Sequence, residues 1–481
     1  MREDRITPLR PRHYAMVLLG MLLLWPALLN RAPFLFRDTT AYVHAADAAI
    51  MRATGINTAW SNGEVRVSAA SGRIAPARAD AVAAKPVLLG RSIFYGLLAW
   101  LGAVTGTLWS VVVVQSLIVG AVVLGLVRHV VDPASPRFAA AVAATTLALA
   151  TTSLAWFSAM VMPDVMTGLA VVAAAVLLFG WRRERTGGRA FWFAVAGYAA
   201  LAHSSHVAIL LALGIAGLAF ARARFGAALL IVAALVGIAG EAGFARGVAV
   251  LTGSAPIRPP FVTARLAAEG PARGYLDRHC GAIDFALCRY RARLPLDSDL
   301  FLWSDDASRG VFGTVPVAEQ RALSDEQPRF VWAVVRDRPL EVAHVALAAI
   351  GRQFAAWRLS EFNHDLYPDD ARAIADRLPP SERRNFLTSR AFQGTMPVRL
   401  AEVASLGWAL LGIAAALRIW MREGWLPRSA IAAVLVAGWV LDVAICGALS
   451  TPHDRYQARI LWVLALLPML LAATRAERRR G

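Results

Sequence analysis

The chain has 481 residues, is 57% hydrophobic, and sets 50 Lys and Arg against 33 Asp and Glu for a formal net charge of +17. A soluble globular domain is about 45–50% apolar, and the mean hydropathy here is +0.51. This excludes an ordinary soluble domain. The arginines lie in short stretches beside apolar runs, which excludes nucleic acid as the meaning of the charge.

A bilayer-crossing helix needs about 20 mostly apolar residues, and runs of that kind recur. The expected class is an all-α polytopic membrane protein. The first run, Tyr14–Asn30, has no small-residue cleavage site and continues into Arg31-Ala32-Pro33-Phe34, so it reads as an uncleaved span. Further spans are expected at Leu108–Val127, Phe138–Ser158, Val165–Trp181, Phe191–Ser204, Val207–Phe220, Ala227–Val248, Val403–Trp420, Ala430–Leu449 and Ile460–Ala473. Ten crossings put every arginine cluster, including those near both termini, on the cytoplasmic side. Val87–Thr105 and Leu340–Trp357 carry Arg91 and Arg352 within them. They read as interfacial or re-entrant helices, because either one crossing alone would invert every later loop.

The expected organisation is an N-terminal transmembrane module (1–250) with a first outside loop at 31–107, a large outside region at 251–401, and C-terminal transmembrane helices at 402–481. Asn57–Asp80, rich in Ala, Ser, Gly and Arg, reads as a mobile loop. Cys280 and Cys288 fall in the large outside region, where they could form a disulfide or stand as free thiols; the short loop-like stretch between them favours the disulfide. Arginine dominance points to a GC-rich bacterial genome, with the inner membrane as the location and the periplasm outside.

The residues with chemical potential gather on the outside face. Asp38, just beyond the first span, reads both as a helix N-cap and as a carboxylate tuned at a low-dielectric boundary for general-base work. Asp164 follows Pro163 in a tight turn, where it is a helix cap or a functional acid. Asp38 and Asp164 together could hold a divalent cation such as Mg or Mn. Arg455 and Arg459, four residues apart, share a helix face next to Tyr456 and suit phosphate recognition. His203 and His206 suit hydrogen bonds to substrate or backbone better than a metal site. Glu241 and Asp442, inside apolar runs, pair with arginines or line a cavity. Lys85 is the sole lysine; it reads as a solvated flank or as a substrate-binding cation.

Asp38 followed by Tyr42, then Lys85-Pro86-Val87-Leu88 before Phe94-Tyr95, a second outside acid at Asp164, and Arg455-Tyr456 before a late span together resemble the GT-C superfamily of polyprenyl-phosphate-dependent glycosyltransferases. Bacterial aminoarabinose transferases and protein O-mannosyltransferases belong to that superfamily. The second acid of the family's opening motif is replaced here by Thr39, and one proline of the Lys-Pro-Pro-Leu run is missing. The resemblance covers the first third of the chain and one late loop. It implies a sugar carried on a lipid phosphate, an acceptor that is an envelope glycan, lipid or protein, Asp38 as general base, and Lys85, Arg91, Arg455 and Arg459 around the leaving phosphate. A lipid-linked saccharide flippase would use the same groove and basic residues without a base. A non-catalytic envelope-assembly protein would use only the large outside region.

Overall fold

The computed structural model describes residues 11–61, 87–423 and 427–478. Among them every regular element is helical. Extended pairing is limited to two isolated parallel bridges, Phe34 with Met160 and Leu88 with Ile257. Among the described residues six helices are long and apolar enough to cross a bilayer: Trp109–Val130, Val165–Arg183, Arg224–Thr252, Val398–Arg422, Ser429–Leu449 and Asp454–Ala472. This is the make-up of a polytopic membrane protein.

The other expected spans are shorter or interrupted. Tyr14–Asn30 is not one helix. It divides into Pro11–Leu22 and Trp25–Asn30, with a proline in the first turn of the second piece. Proline there removes a ladder donor and favours a helix start. Phe138–Ser158 likewise divides into Phe138–Ala150 and Ser153–Ser158, where the Thr152 hydroxyl accepts from Leu154 N–H and starts a new helix. Thr186–Ala202 and Ser204–Leu218 are separated by a single extended residue, His203. At 1.5 Å per residue they reach about 23–26 Å, short of a hydrocarbon layer of about 30 Å. The two arginine-bearing stretches form Ile93–Thr105 and Pro339–Ala355, and Pro339–Ala355 packs along Pro427–Leu449.

The region 251–401 falls into two packing units. Residues from Ile257 to Val334 build a hydrophobic cluster of their own around Phe301, Phe312 and Phe330. Cys280 and Cys288 are joined there by a disulfide. Residues from Leu359 to Ala401 belong to the main core instead. Phe362 sits edge-on to Phe34, Trp156 and Phe157 with ring centroids 5.0, 5.4 and 5.3 Å away.

Three contacts set the loops that matter for the site. Arg31 adopts a left-handed backbone (φ 67°), unfavourable for a residue with a side chain. Asn30 holds the turn by donating to Ala32 O at 2.8 Å and accepting from Ala391 N–H at 2.7 Å. The redirected chain then pairs Phe34 with Ala159 and Val161 through two backbone hydrogen bonds of 3.0 Å. Finally, Gly168 lets the last span approach: a Cβ there would collide with the Trp462 indole.

Candidate functional site

The helix Arg37–Thr54 begins with Thr39, not Asp38, serving as its cap. Phe36 N–H donates to Thr39 Oγ1 at 2.9 Å, and the Thr39 hydroxyl donates to Val161 O at 2.9 Å. The expected capping role for Asp38 is therefore corrected: its side chain turns to Arg91. Arg91 Nε donates to Asp38 Oδ1 at 3.0 Å, and Nη2 reaches the same oxygen. Asp38 Oδ2 keeps no hydrogen-bond partner among the described residues, and the side chain is 31% exposed. Burial would raise the Asp38 carboxyl, but the charges of Arg91 and Arg455 and the Arg91 hydrogen bond outweigh it. The group lies below its ordinary carboxylate value. The Arg91 guanidinium also lies over the Trp303 ring, 5.0 Å from its centroid.

Asp164 makes no capping bond either. It is buried and faces two arginines through one oxygen, Arg455 Nε at 3.6 Å and Arg459 Nη1 at 3.5 Å. Both arginines stand on the helix Asp454–Leu461, inside the last candidate span and not in a loop before it. They differ in kind. Arg459 is 1% exposed and donates from Nη2 to Asp442 Oδ1 at 2.7 Å. Arg455 lies over Phe36 at 5.1 Å and Tyr456 at 5.5 Å. Among the described residues its guanidinium makes no hydrogen bond, and its Nε is a buried donor without an acceptor. A guanidinium carries five N–H donors in a fixed fork. Here that fork stands beside an aromatic ring two residues before Asp38.

The two histidines also part ways. His206 is fully buried, with one ring nitrogen 2.7 Å from Thr167 Oγ1 and the other 2.7 Å from Ala199 O. Both nitrogens are occupied by protein, so of the two contacts expected for His206, substrate or backbone, the structure shows the backbone one. His203 caps the helix Ser204–Leu218, its Nδ1 accepting from Ser205 N–H at 3.2 Å. The neutral ring with Nδ1 as acceptor carries its proton on Nε2. Tyr42 is buried and packs edge-on to Tyr95 at 5.1 Å, close enough to Asp38, Asp164, Arg91 and Arg455 to feel their charges. Lys85 and most of Asn57–Asp80 lie outside the described residues.

Arg91 and His203 line a narrow cleft of about 40 Å³ together with Leu89, Phe94, Gly237 and Phe244. Its apolar wall is the long helix Arg224–Thr252. Glu241, on that wall, pairs with Arg258 at 2.8 Å. The sequence left open whether Glu241 and Asp442 pair or line a cavity. Asp442 pairs with Arg459, and Glu241 both pairs and lines the cleft.

A divalent cation does not fit these residues. Asp38 and Asp164, the carboxylates that would hold it, already face arginines, and among the described residues no group of three or more His, Cys, Asp or Glu is placed to bind a metal. Sequence reasoning missed Trp303 and Phe36 as platforms for Arg91 and Arg455. No sequence signal marks a ring that stacks on a distant arginine. Compared with protein-family models, curated proteins and solved structures, the chain matches none.

Proposed function

We propose that this chain is an integral membrane glycosyltransferase of GT-C type. It moves a sugar from a polyprenyl-phosphate donor to an envelope glycan, lipid or protein acceptor on the periplasmic face of a bacterial inner membrane. The observation that carries this reading is the convergence of Asp38, Arg91, Asp164, His203, Arg455 and Arg459, from distant segments, beside a cleft walled by an apolar helix. In this reading ten crossings, six of them made by the long helices, keep both termini cytoplasmic.

In this mechanism the lipid tail lies along Arg224–Thr252 and the donor phosphate meets Arg91 and Arg455. Arg455 supplies unused donors, and Arg459 positions it from between Asp442 and Asp164. The acceptor hydroxyl or amine attacks the anomeric carbon. The bond from that carbon to the phosphate oxygen breaks, and the electron pair leaves on the phosphate, where guanidiniums stabilise it. The acceptor proton passes to Asp38 Oδ2. A carboxylate held by Arg91 is a weak base; a donor phosphate that draws Arg91 away raises its basicity as the substrate arrives. His203 donates from Nε2 to a sugar or phosphate oxygen.

The test is mass spectrometry of envelope glycans and lipids from a deletion strain complemented with wild type or Asp38→Asn. The expected result is one sugar absent in the deletion and not restored by a membrane-inserted Asp38→Asn protein. A wild-type profile with Asp38→Asn would overturn the reading and favour a flippase or an assembly protein.

A further inference from the structure

A second cleft, lined by two arginines, shares none of its lining residues with the first. Arg265 comes from the helix Phe261–Glu269 and Arg352 from Pro339–Ala355. Both donate to the same oxygen, Glu269 Oε1, at 2.9 and 2.6 Å. One carboxylate against two guanidiniums leaves one positive charge in excess. Arg265 is only 5% exposed, and its other terminal nitrogen reaches nothing closer than Gly447 O at 3.4 Å. Thr451, Pro452 and an 83% exposed Leu296 complete the rim.

The cleft sits where the candidate span Ser429–Leu449 ends, the level at which lipid headgroups meet protein. An exposed leucine beside a net positive arginine pair suits a ligand that is anionic at one end and apolar at the other. Gln353, next to Arg352, exchanges two hydrogen bonds with the His453 backbone: Gln353 Nε2 donates to His453 O at 2.7 Å, and His453 N–H donates to Gln353 Oε1 at 3.0 Å. A headgroup held by Arg352 is thereby tied to the segment that carries Arg455.

We infer that this cleft binds the phosphate of an anionic lipid headgroup. The inference does not depend on the transferase reading. Its test is native mass spectrometry of the detergent-purified full chain titrated with phosphatidylglycerol, with inorganic phosphate as competitor. Arg352→Gln should weaken retention of one phosphatidylglycerol about ten-fold, the scale of one charge-assisted hydrogen bond. Glu269→Gln, which removes the competing carboxylate, should strengthen it, and Asp38→Asn should leave it unchanged. Opposite shifts from Arg352→Gln and Glu269→Gln are not what general destabilisation produces. Unchanged retention in both variants would overturn the site. Displacement of the lipid by equimolar inorganic phosphate would overturn the lipid headgroup as its occupant.

Discussion

Arg91 Nε lies 3.0 Å from Asp38 Oδ1 although the two residues are 53 positions apart. The pair ties the start of the helix Arg37–Thr54 to the segment before Ile93–Thr105 and sets the charge state of the proposed base. Arg91→Gln removes the opposing charge, so the Asp38 carboxyl should rise toward its ordinary value. The acid limb of a kcat/KM profile against pH reports that group in the free enzyme, so the limb should move to higher pH in the variant. Loss of a phosphate contact should also lower kcat/KM by about ten- to a hundred-fold, on the scale of a hydrogen bond to a charged group. A transfer assay across pH with wild type and Arg91→Gln checks both. An acid limb that stays in place would separate Asp38 from the chemistry.

Asp442 sits inside the helix Pro427–Leu449 with no exposed surface and accepts from Arg459. Removing one partner of a buried ion pair costs about 3–5 kcal/mol when the other charge is left unpaired; Arg459 keeps Asp164 at 3.5 Å, so the cost here falls at or below the lower end of that range. Asp442→Asn should therefore lower the thermal unfolding temperature sharply. The paired change Asp442→Asn with Arg459→Met removes both charges and should recover much of that loss. Scanning calorimetry or intrinsic fluorescence in detergent measures both. A double variant no better than Asp442→Asn would show that the pair is not the unit of stability.

The class of protein was legible in the sequence because a bilayer imposes length and apolarity on each spanning helix, and both can be read residue by residue. Asp38, Asp164, Arg455 and Arg459 were legible because charged residues beside apolar runs are costly and stand out. What each of them does was not. Asp38 and Asp164 both read as caps, since cap propensity is a local property. Thr39 takes that duty at the first position through a long-range bond to Val161 O, which no window of sequence contains. The divisions at Leu22–Trp25 and Ala150–Ser153 were also hidden, because an apolar run keeps its composition where the helix ladder breaks. The pairing of Arg459 with Asp442 was hidden as well, since the two stand on different helices.

His453 stands outside the last span and faces Asp299 Oδ2 at 3.1 Å, with its ring against Tyr456 at 5.4 Å. Burial would lower its pKa, but the Asp299 hydrogen bond and the charges of Glu361 and Asp299 raise it above 6.5; Arg455 acts the other way. A raised histidine contributes stability that is fully present below the unfolded value and is lost as pH rises through the folded one. The unfolding temperature should therefore fall as pH climbs upward from about 6.5, the unfolded value. His453→Gln should flatten that slope. Thermal melts at a series of pH values check this, and an unchanged slope in the variant would assign the dependence to another group.

Thr39 is the hinge between the two acids. Its hydroxyl accepts from Phe36 N–H and donates to Val161 O, so one side chain fixes the start of Asp38's helix and the turn leading to Asp164. Thr39→Val keeps the shape and removes both bonds, leaving a buried acceptor unsatisfied at a cost of about 1–3 kcal/mol. Thr39→Ser restores the hydroxyl without the methyl. Because Asp38 is the next residue back, loss of the bond to Val161 should shift its carboxylate relative to Arg455, and misplaced reacting groups lower kcat more than they raise KM. Thr39→Val should thus lose kcat by about ten-fold or more with KM little changed, while Thr39→Ser keeps both. Steady-state transfer kinetics on the three proteins, with thermal melts alongside, give the answer. A Thr39→Val enzyme with lowered stability but full kcat would confine Thr39 to folding and leave Asp38 positioned by Arg91 alone.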